Sequence, residues 1–134
     1  MKSKKTILLA DDHPDIRLIC KAMLEEEYDV KIVSNGLEVM AYVENEKPDL
    51  IILDIAMPEM DGLTALTKLK ENTQTCLIPV ILLTAKTKYE DVMEGYEHQA
   101  DYYISKPFTK ERLLNGVRLI LGDQRPVVQP KQES

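Results

Sequence analysis

The sequence predicts a doubly wound α/β domain built on one parallel five-stranded sheet. Apolar runs of strand length alternate five times with longer segments of helical periodicity. The first, third and fourth runs are apolar without alternation, which is typical of strands that helices cover on both faces. The 134 residues suit one domain with a well-buried core.

The first two strand–helix units occupy the N-terminal part of the chain. Residues 6–10 form the first predicted strand, and a helix follows at about 14–26, where Pro14 suits the first turn. The side chains predicted to face the core from this helix are Ile16, Ile19, Cys20, Met23 and Leu24. The second strand, 30–33, leads through Asn35-Gly36 into a helix that Lys47-Pro48 ends, because proline cannot continue it.

Three further units complete the predicted fold. The remaining strands are at 50–53, 80–83 and 102–104, and helices are predicted at about 63–71, 88–98 and 109–121. Regular alternation of this kind favours a flavodoxin-like (βα)5 domain with strand order 2-1-3-4-5. We expect residues 1–122 to form the domain. Residues 123–134 contain two prolines and no helical period, so we expect a flexible tail or the start of a linker.

The charge and hydropathy of the chain argue against several classes of function. The net charge of −6 and pI near 5.0 argue against direct nucleic-acid binding, which needs a basic surface. No segment approaches the roughly 20 apolar residues of a membrane span, and the short apolar run at the N-terminus meets two aspartates instead of forming a secretory signal. We therefore expect a cytoplasmic protein without membrane contact. Cys20 and Cys76 are predicted to be free thiols.

Residues of different chemistry stand where four predicted strands end: Asp11-Asp12, Asp54, Thr84 and Lys106. Strands 1 and 3 are neighbours in the predicted order, so the three carboxylates should converge at the carboxyl edge of the sheet. Such close carboxylates repel one another and raise at least one pKa unless a cation intervenes. Hard oxygen ligands without a Cys or His cluster suggest Mg²⁺. The alternative is that Asp11-Asp12 simply caps the first helix.

Phosphoryl transfer to Asp54 is the simplest chemistry that uses all these groups. Aspartate forms acyl phosphates, whose three oxygens would be neutralised by Mg²⁺, Lys106 and the Thr84 hydroxyl. Asp61-Gly62 more plausibly builds a turn and the start of a helix. His13, a single histidine that begins a helix, is interpreted as a surface residue and left out of the site.

The motifs LLADD, LIILDIAMPEMDG, VILLTAK and ADYYISKPF occur in this order. Over about residues 5–121 the chain resembles the receiver domains of two-component response regulators. The resemblance implies that Asp54 accepts a phosphoryl group from the phosphohistidine of a kinase. It further implies that Mg²⁺ is bound directly by Asp12, Asp54 and the Ala56 carbonyl, with Asp11 acting mostly through water.

The same resemblance implies a switch. Thr84 and Lys106 resemble the switch hydroxyl and the phosphate-binding lysine. When the phosphoryl group draws Thr84 inward, Tyr103 would turn into the vacated space and repack the surface of the helix at 88–98, the fifth strand and the last helix. A static core position for Tyr103 is the alternative.

The implied partners are a sensor histidine kinase or phosphotransfer protein, and a downstream protein or an output domain outside this chain. A homodimer on phosphorylation is a further possibility in the family. The domain would not be an enzyme, since it would catalyse only its own phosphorylation and dephosphorylation.

Two residues depart from the family pattern: Gln99 replaces a glycine, and Tyr102 stands where an acid is common. Ala56 and Lys86 occupy positions that tune phosphate lifetime.

Two other functions compete with this interpretation. A Mg²⁺-dependent phosphohydrolase could use Asp54 as its nucleophile, but it would need a second acid two residues later, where Ala56 stands. A non-phosphorylated pseudo-receiver could act only as a binding module, although every residue needed for phosphorylation is present.

Overall fold

The computed structural model describes residues 4–85 and 100–122. The helix predicted at 88–98, the residues Lys86 and Gln99, and the predicted tail at 123–134 lie outside these ranges. Within them the elements follow the order β1 (Thr6–Ala10), α1 (Pro14–Leu24), β2 (Asp29–Val33), α2 (Gly36–Asn45), β3 (Leu50–Asp54), α3 (Gly62–Glu71), β4 (Val80–Ala85), β5 (Tyr102–Lys106) and α4 (Lys110–Leu121).

The strands form one parallel sheet in the order β2-β1-β3-β4-β5, which confirms the predicted fold class and topology. The register aligns the carboxyl ends of neighbouring strands. Ala10 pairs with Leu53, and Asp54 pairs with Leu83 on the next strand. Lys106 pairs with Ala85 at the same edge. The residues that close or follow β1, β3, β4 and β5 are therefore carried to one edge of the sheet.

Apolar side chains pack on both faces of the sheet, as the unbroken apolar strands predict. Alternate residues of β1 point to opposite sides, so that Leu9 joins the core beneath α1 and α4 while Leu8 joins the core beneath α2 and α3. Both side chains are fully buried. Burial of a leucine contributes about 1.5–3 kcal/mol to stability. These two cores hold the loops at the carboxyl edge in place.

Helix α1 ends two residues earlier than predicted and faces the core differently. Cys20 and Leu24 are fully buried, whereas Ile19 is 47% exposed. The assignment of Ile19 to the core was wrong. In a helix of 3.6 residues per turn, Ile19 lies roughly a third of a turn from the midpoint between Cys20 and Leu24.

Short polar residues set where three helices begin. The side chains of Asn35, Asp61 and Thr109 accept hydrogen bonds from backbone N–H groups in the first turns of α2, α3 and α4. The predicted role of Asp61-Gly62 in starting a helix is thereby confirmed. Helix α4 ends at Gly122, whose φ of 68° is the left-handed conformation that glycine adopts without strain.

Both cysteines are free thiols, as predicted. Among the described residues, no helix is both long enough and apolar enough to span a membrane.

Candidate phosphoryl-acceptor site

Three carboxylates converge at the carboxyl edge of the sheet, as the strand order predicted. Asp11 follows β1 and is fully buried, while Asp54 closes β3 and is 4% exposed. Asp12 lies at the rim, with a third of its side chain exposed. Ligand atoms of Asp11, Asp12, His13 and Asp54 all lie within 4.8 Å of one another. The parallel register produces this cluster, because it brings the ends of β1 and β3 side by side.

Lys106 reaches the acids from the far end of the sheet. Its Nζ lies 3.0 Å from Asp11 Oδ2 and 3.3 Å from Asp54 Oδ1, although β4 separates β5 from β3. The Lys106-Pro107 peptide bond is cis, which the sequence left open. The lysine is thus an integral part of the site and not a solvated surface residue.

Burial and, after it, the neighbouring Asp11 charge raise the pKa of Asp54; with the opposing effects of Lys106 and the Ala56 backbone N–H included, the pKa is about 6. This agrees with the predicted effect of clustered carboxylates. Burial lowers the pKa of Lys106, but its hydrogen bond to Asp11 and the charges of Asp54 and Asp11 outweigh burial, so that the pKa is raised overall. The ammonium group therefore stays charged at neutral pH.

Two oxygens of the cluster fit a metal cation. Asp12 Oδ1 and Asp54 Oδ2 are buried and accept no hydrogen bond from the described residues. A buried carboxylate oxygen without a donor is costly, and Lys106 alone does not balance three negative charges. An all-oxygen donor set of this kind suits Mg²⁺, which takes one or two carboxylates and retains water. The residues present therefore fit a hard divalent cation.

The alternative that Asp11-Asp12 serves only as a helix cap is wrong. His13 is the N-cap residue of α1, and no side chain caps this helix. Asp11 Oδ1 accepts the backbone N–H of His13 at 2.9 Å, which orders the turn before the helix. Asp12 makes no such bond, so its carboxylate remains directed to the cluster.

The other predicted site residues surround this centre. Thr84 lies near the carboxyl end of β4 and is 3% exposed, and the Ile55 N–H bond to the Leu83 carbonyl holds β4 beside the loop after Asp54. Ala56 is exposed in that loop. Tyr103 is half-buried and packs against the core beneath α2 and α3. Thr84 and Ala56 thus lie at the carboxyl edge with the acids, whereas Tyr103 lies near the start of β5, paired with Leu82 in the body of the sheet.

The sequence profile of the response regulator receiver domain matches residues 7–118. The chain belongs to this family. Receiver domains are the phosphoacceptor modules of two-component signalling and bind Mg²⁺ in an acidic pocket. They are signalling modules and not enzymes in the usual sense.

Relatives of this receiver domain occur in two kinds of protein. It is 38% identical over 123 residues to a histidine kinase of Formosa agariphila, covering 92% of the chain and 9% of the kinase. It is 37% identical over 122 residues to the response regulator Rre1 of Synechocystis sp., covering 90% of the chain and 53% of the regulator. The chain therefore spans about half or less of these curated relatives.

A solved structure with the same architecture is the receiver domain of a Pseudomonas aeruginosa sensor histidine kinase, which has a magnesium ion coordinated in its active site cleft. The two share 26% identity with a TM-score of 0.83, covering 90% of this chain and all of that one.

Sequence reasoning missed two groups beside the receiver's acid cluster. Nδ1 of His13 lies 3.1 Å from oxygens of both Asp11 and Asp12. Arg17 Nη1 donates to the Asp11 backbone carbonyl at 2.7 Å. His13 is a surface residue, as predicted, but its ring contacts the cluster. Its position next to Asp12 was the available signal, whereas the contact of Arg17 depends on how α1 leaves the turn.

Tyr102, which departs from the family pattern, packs against the last helix. A Cβ placed on Gly116 of α4 would lie 3.0 Å from its ring. The small residue at position 116 therefore leaves room for the aromatic ring on this face of the receiver.

We expect Lys106→Met to raise the pKa of Asp54 further, because Lys106 is the cation that opposes the effects of burial and of Asp11. Titration of the Asp54 carboxyl carbon by NMR, in buffer without divalent cations, measures this. Lys68→Met, at an exposed position on α3, is the control and should leave the titration unchanged. An equal or lower pKa of Asp54 in Lys106→Met would contradict the assignment of Lys106 as its electrostatic partner.

Proposed function

We propose that this receiver domain accepts a phosphoryl group on Asp54 from the phosphohistidine of a sensor histidine kinase or phosphotransfer protein. The observation that carries the proposal is the position of Asp54. Its buried carboxylate closes β3, has one oxygen that accepts no hydrogen bond from the described residues, and lies within 3.3 Å of a lysine ammonium. A carboxylate in these surroundings can act as a nucleophile toward phosphorus.

In the proposed step an Asp54 carboxylate oxygen attacks phosphorus, and the bond from phosphorus to the donor's imidazole nitrogen breaks. The electron pair leaves with that nitrogen, and Asp54 becomes an acyl phosphate. Asp12, Asp54 and the Ala56 carbonyl would hold Mg²⁺, with Asp11 acting mostly through water, and the ion would supply positive charge to the phosphoryl oxygens. Lys106, whose Nζ contacts Asp11 and Asp54, would supply a second positive charge.

Thr84 and Tyr103 would convert the modification into a surface change. The Thr84 hydroxyl is proposed to bind a phosphoryl oxygen, and Tyr103 then moves toward the space that Thr84 leaves. The two residues lie on the neighbouring parallel strands β4 and β5, where Thr84 pairs with Ser105 and Tyr103 pairs with Leu82. The phosphoryl group would act by binding one of two pre-existing conformations more strongly.

Partner binding is proposed to involve β5, α4 and the segment at 88–98, which lies outside the described residues. The downstream partner is a separate protein or an output domain beyond this chain, consistent with relatives in which the domain is one part of a longer protein. Several further features stay predictions. They are the domain boundary at residue 122, self-catalysed dephosphorylation, dimerisation on phosphorylation, the cytoplasmic location and the absence of nucleic-acid contact.

No observation favours the two alternatives. A phosphohydrolase would need an acid where Ala56 stands, and a pseudo-receiver would not need the complete set of Asp54, Thr84 and Lys106.

The test is intact-mass measurement after incubation with Mg²⁺ and acetyl phosphate. We expect one phosphoryl addition in wild type, and none in Asp54→Asn or when Mg²⁺ is chelated. Asp61→Asn is the matched control, since it alters an exposed acid of the same loop while asparagine can still cap α3. Addition of a phosphoryl group to Asp54→Asn would contradict the proposal. So would a wild-type protein that gains no phosphoryl group and also fails to bind beryllofluoride.

A further inference from the structure

His13 brings an imidazole nitrogen to the rim of the acid cluster. Its Nδ1 lies 3.1 Å from Asp11 Oδ1 and 3.1 Å from Asp12 Oδ1. The side chain is 63% exposed, whereas that of Asp11 is fully buried. The ring therefore closes the solvent side of a cluster whose inner side is formed by Asp11 and Asp54.

These separations match those between neighbouring ligands of one metal ion. First-row divalent ions bind nitrogen and oxygen at about 2.0–2.2 Å, so adjacent ligand atoms at right angles lie about 3 Å apart. A hydrogen bond from Nδ1 to Asp11 has the same length, and distance alone does not distinguish the two. The independent observation is the pair of buried oxygens, Asp12 Oδ1 and Asp54 Oδ2, that accept no hydrogen bond from the described residues. Asp12 and Asp54 also belong, with His13, to the group of residues whose ligand atoms lie within 4.8 Å of one another.

We propose that His13 is a nitrogen donor to this metal site and makes the site select late transition ions such as Ni²⁺ over Mg²⁺ more strongly than a carboxylate-only site would. The inference rests on the metal site of the proposed function. Imidazole is a good ligand for nickel, copper and zinc, whereas magnesium prefers oxygen and retains its waters. Mg²⁺ would therefore use the carboxylate and carbonyl oxygens alone, and Ni²⁺ would gain a ligand that Mg²⁺ does not use.

The competing interpretation is that His13 only donates a hydrogen bond to Asp11 and orients that carboxylate. Asparagine separates the two roles, because its amide can donate a similar hydrogen bond but is a poor ligand for Ni²⁺. The chain has one other histidine, His98. The variant His98→Asn is the matched control for metal binding by an imidazole outside the cluster.

The test is calorimetric titration of the full chain with Mg²⁺ and with Ni²⁺ in the same buffer. We expect His13→Asn to weaken Ni²⁺ binding by about tenfold or more and to leave Mg²⁺ affinity almost unchanged. His98→Asn should bind both ions at the cluster as wild type does. In a second measurement, EPR of bound Cu²⁺ should show nitrogen coupling in His98→Asn and lose the coupling when His13→Asn is added to that variant.

The outcomes separate this inference from the proposed function. Mg²⁺ binding by wild type, combined with equal Ni²⁺ affinities in wild type and His13→Asn, would overturn the role of His13 alone. Nitrogen coupling that persists in the double variant, His13→Asn with His98→Asn, would do the same. Absence of Mg²⁺ binding by wild type would overturn the metal site of the proposed function, and this inference with it.

Discussion

Asp54→Asn is expected to be more stable than wild type at about pH 7.5 in the absence of divalent cations. Burial and the Asp11 charge raise the pKa of Asp54 from 3.8 to about 6. At one pKa unit per 1.36 kcal/mol, ionising this carboxyl in the folded state costs about 3 kcal/mol more than in the unfolded chain. Asparagine has nearly the same shape and carries no charge, so the variant should recover much of this free energy.

Whether stability rises or falls with pH follows from the raised pKa of Asp54. Between pH 3.8 and about 6 the folded protein holds a proton at Asp54 that the unfolded chain has lost. The free energy of unfolding therefore falls as pH rises through this window. Above the window the full cost of ionising Asp54 is present, and this contribution falls no further. The advantage of Asp54→Asn should accordingly be large at about pH 7.5 and small at about pH 4.

Urea unfolding of both proteins at the two pH values measures the effect. Saturating Mg²⁺ should reduce the advantage of Asp54→Asn at high pH, because the cation stabilises the ionised wild-type site. Asp61→Asn, which removes an exposed acid, should have the same free energy of unfolding as wild type at both pH values. A variant that is less stable than wild type at about pH 7.5 without cations would contradict the assigned charge repulsion.

Gly62→Ala is expected to destabilise the protein strongly and to impair the site. A Cβ on Gly62 would lie 2.3 Å from the Asp54 carbonyl oxygen and 2.9 Å from the Ile55 Cα. These are backbone atoms, so no side-chain rotation relieves the contact. The Gly62 N–H also donates to the Ile55 carbonyl at 2.8 Å, which holds α3 against the end of β3. We expect a loss of about 3 kcal/mol, at the upper end of the cost of overpacking.

The same substitution should slow phosphorylation, because α3 and the chain at Asp54 must separate. Misplacement of a reacting group by about 1 Å can reduce a rate by about 10²-fold. Urea unfolding and the rate of phosphoryl addition from acetyl phosphate are the two measurements. Thr64→Ala changes an exposed residue of the same helix and should alter neither value appreciably. Wild-type stability in Gly62→Ala would show that the close approach of α3 to β3 is not required.

Much of the fold was predictable because its signals are local. Unbroken apolar strands, helical periodicity between them, and capping residues such as Asp61 act within a few positions of one another. The strand order followed from the known preference of alternating units. The convergence of Asp11 with Asp54 could therefore be predicted, since it requires only that their strands be neighbours.

The errors and omissions concern contacts between elements. The exposure of Ile19 depends on the rotation of α1 against the sheet, and the packing of Tyr102 depends on the space beside Gly116. The contact of His13 with two carboxylates depends on the tight turn before α1. Periodicity and propensity do not encode such distances.

The sequence by itself determined the strand and helix pattern, the parallel topology and the set of residues at the carboxyl edge. Local preferences and burial of apolar faces are sufficient for these features. Only the tertiary structure decided that Lys106 contacts Asp11 and Asp54 across β4 and that His13 borders the cluster. It also decided that one buried oxygen of Asp54 has no donor within residues 4–85 and 100–122. Each of these depends on distances of a few ångströms between side chains from different elements, and those distances are set by how the whole domain packs.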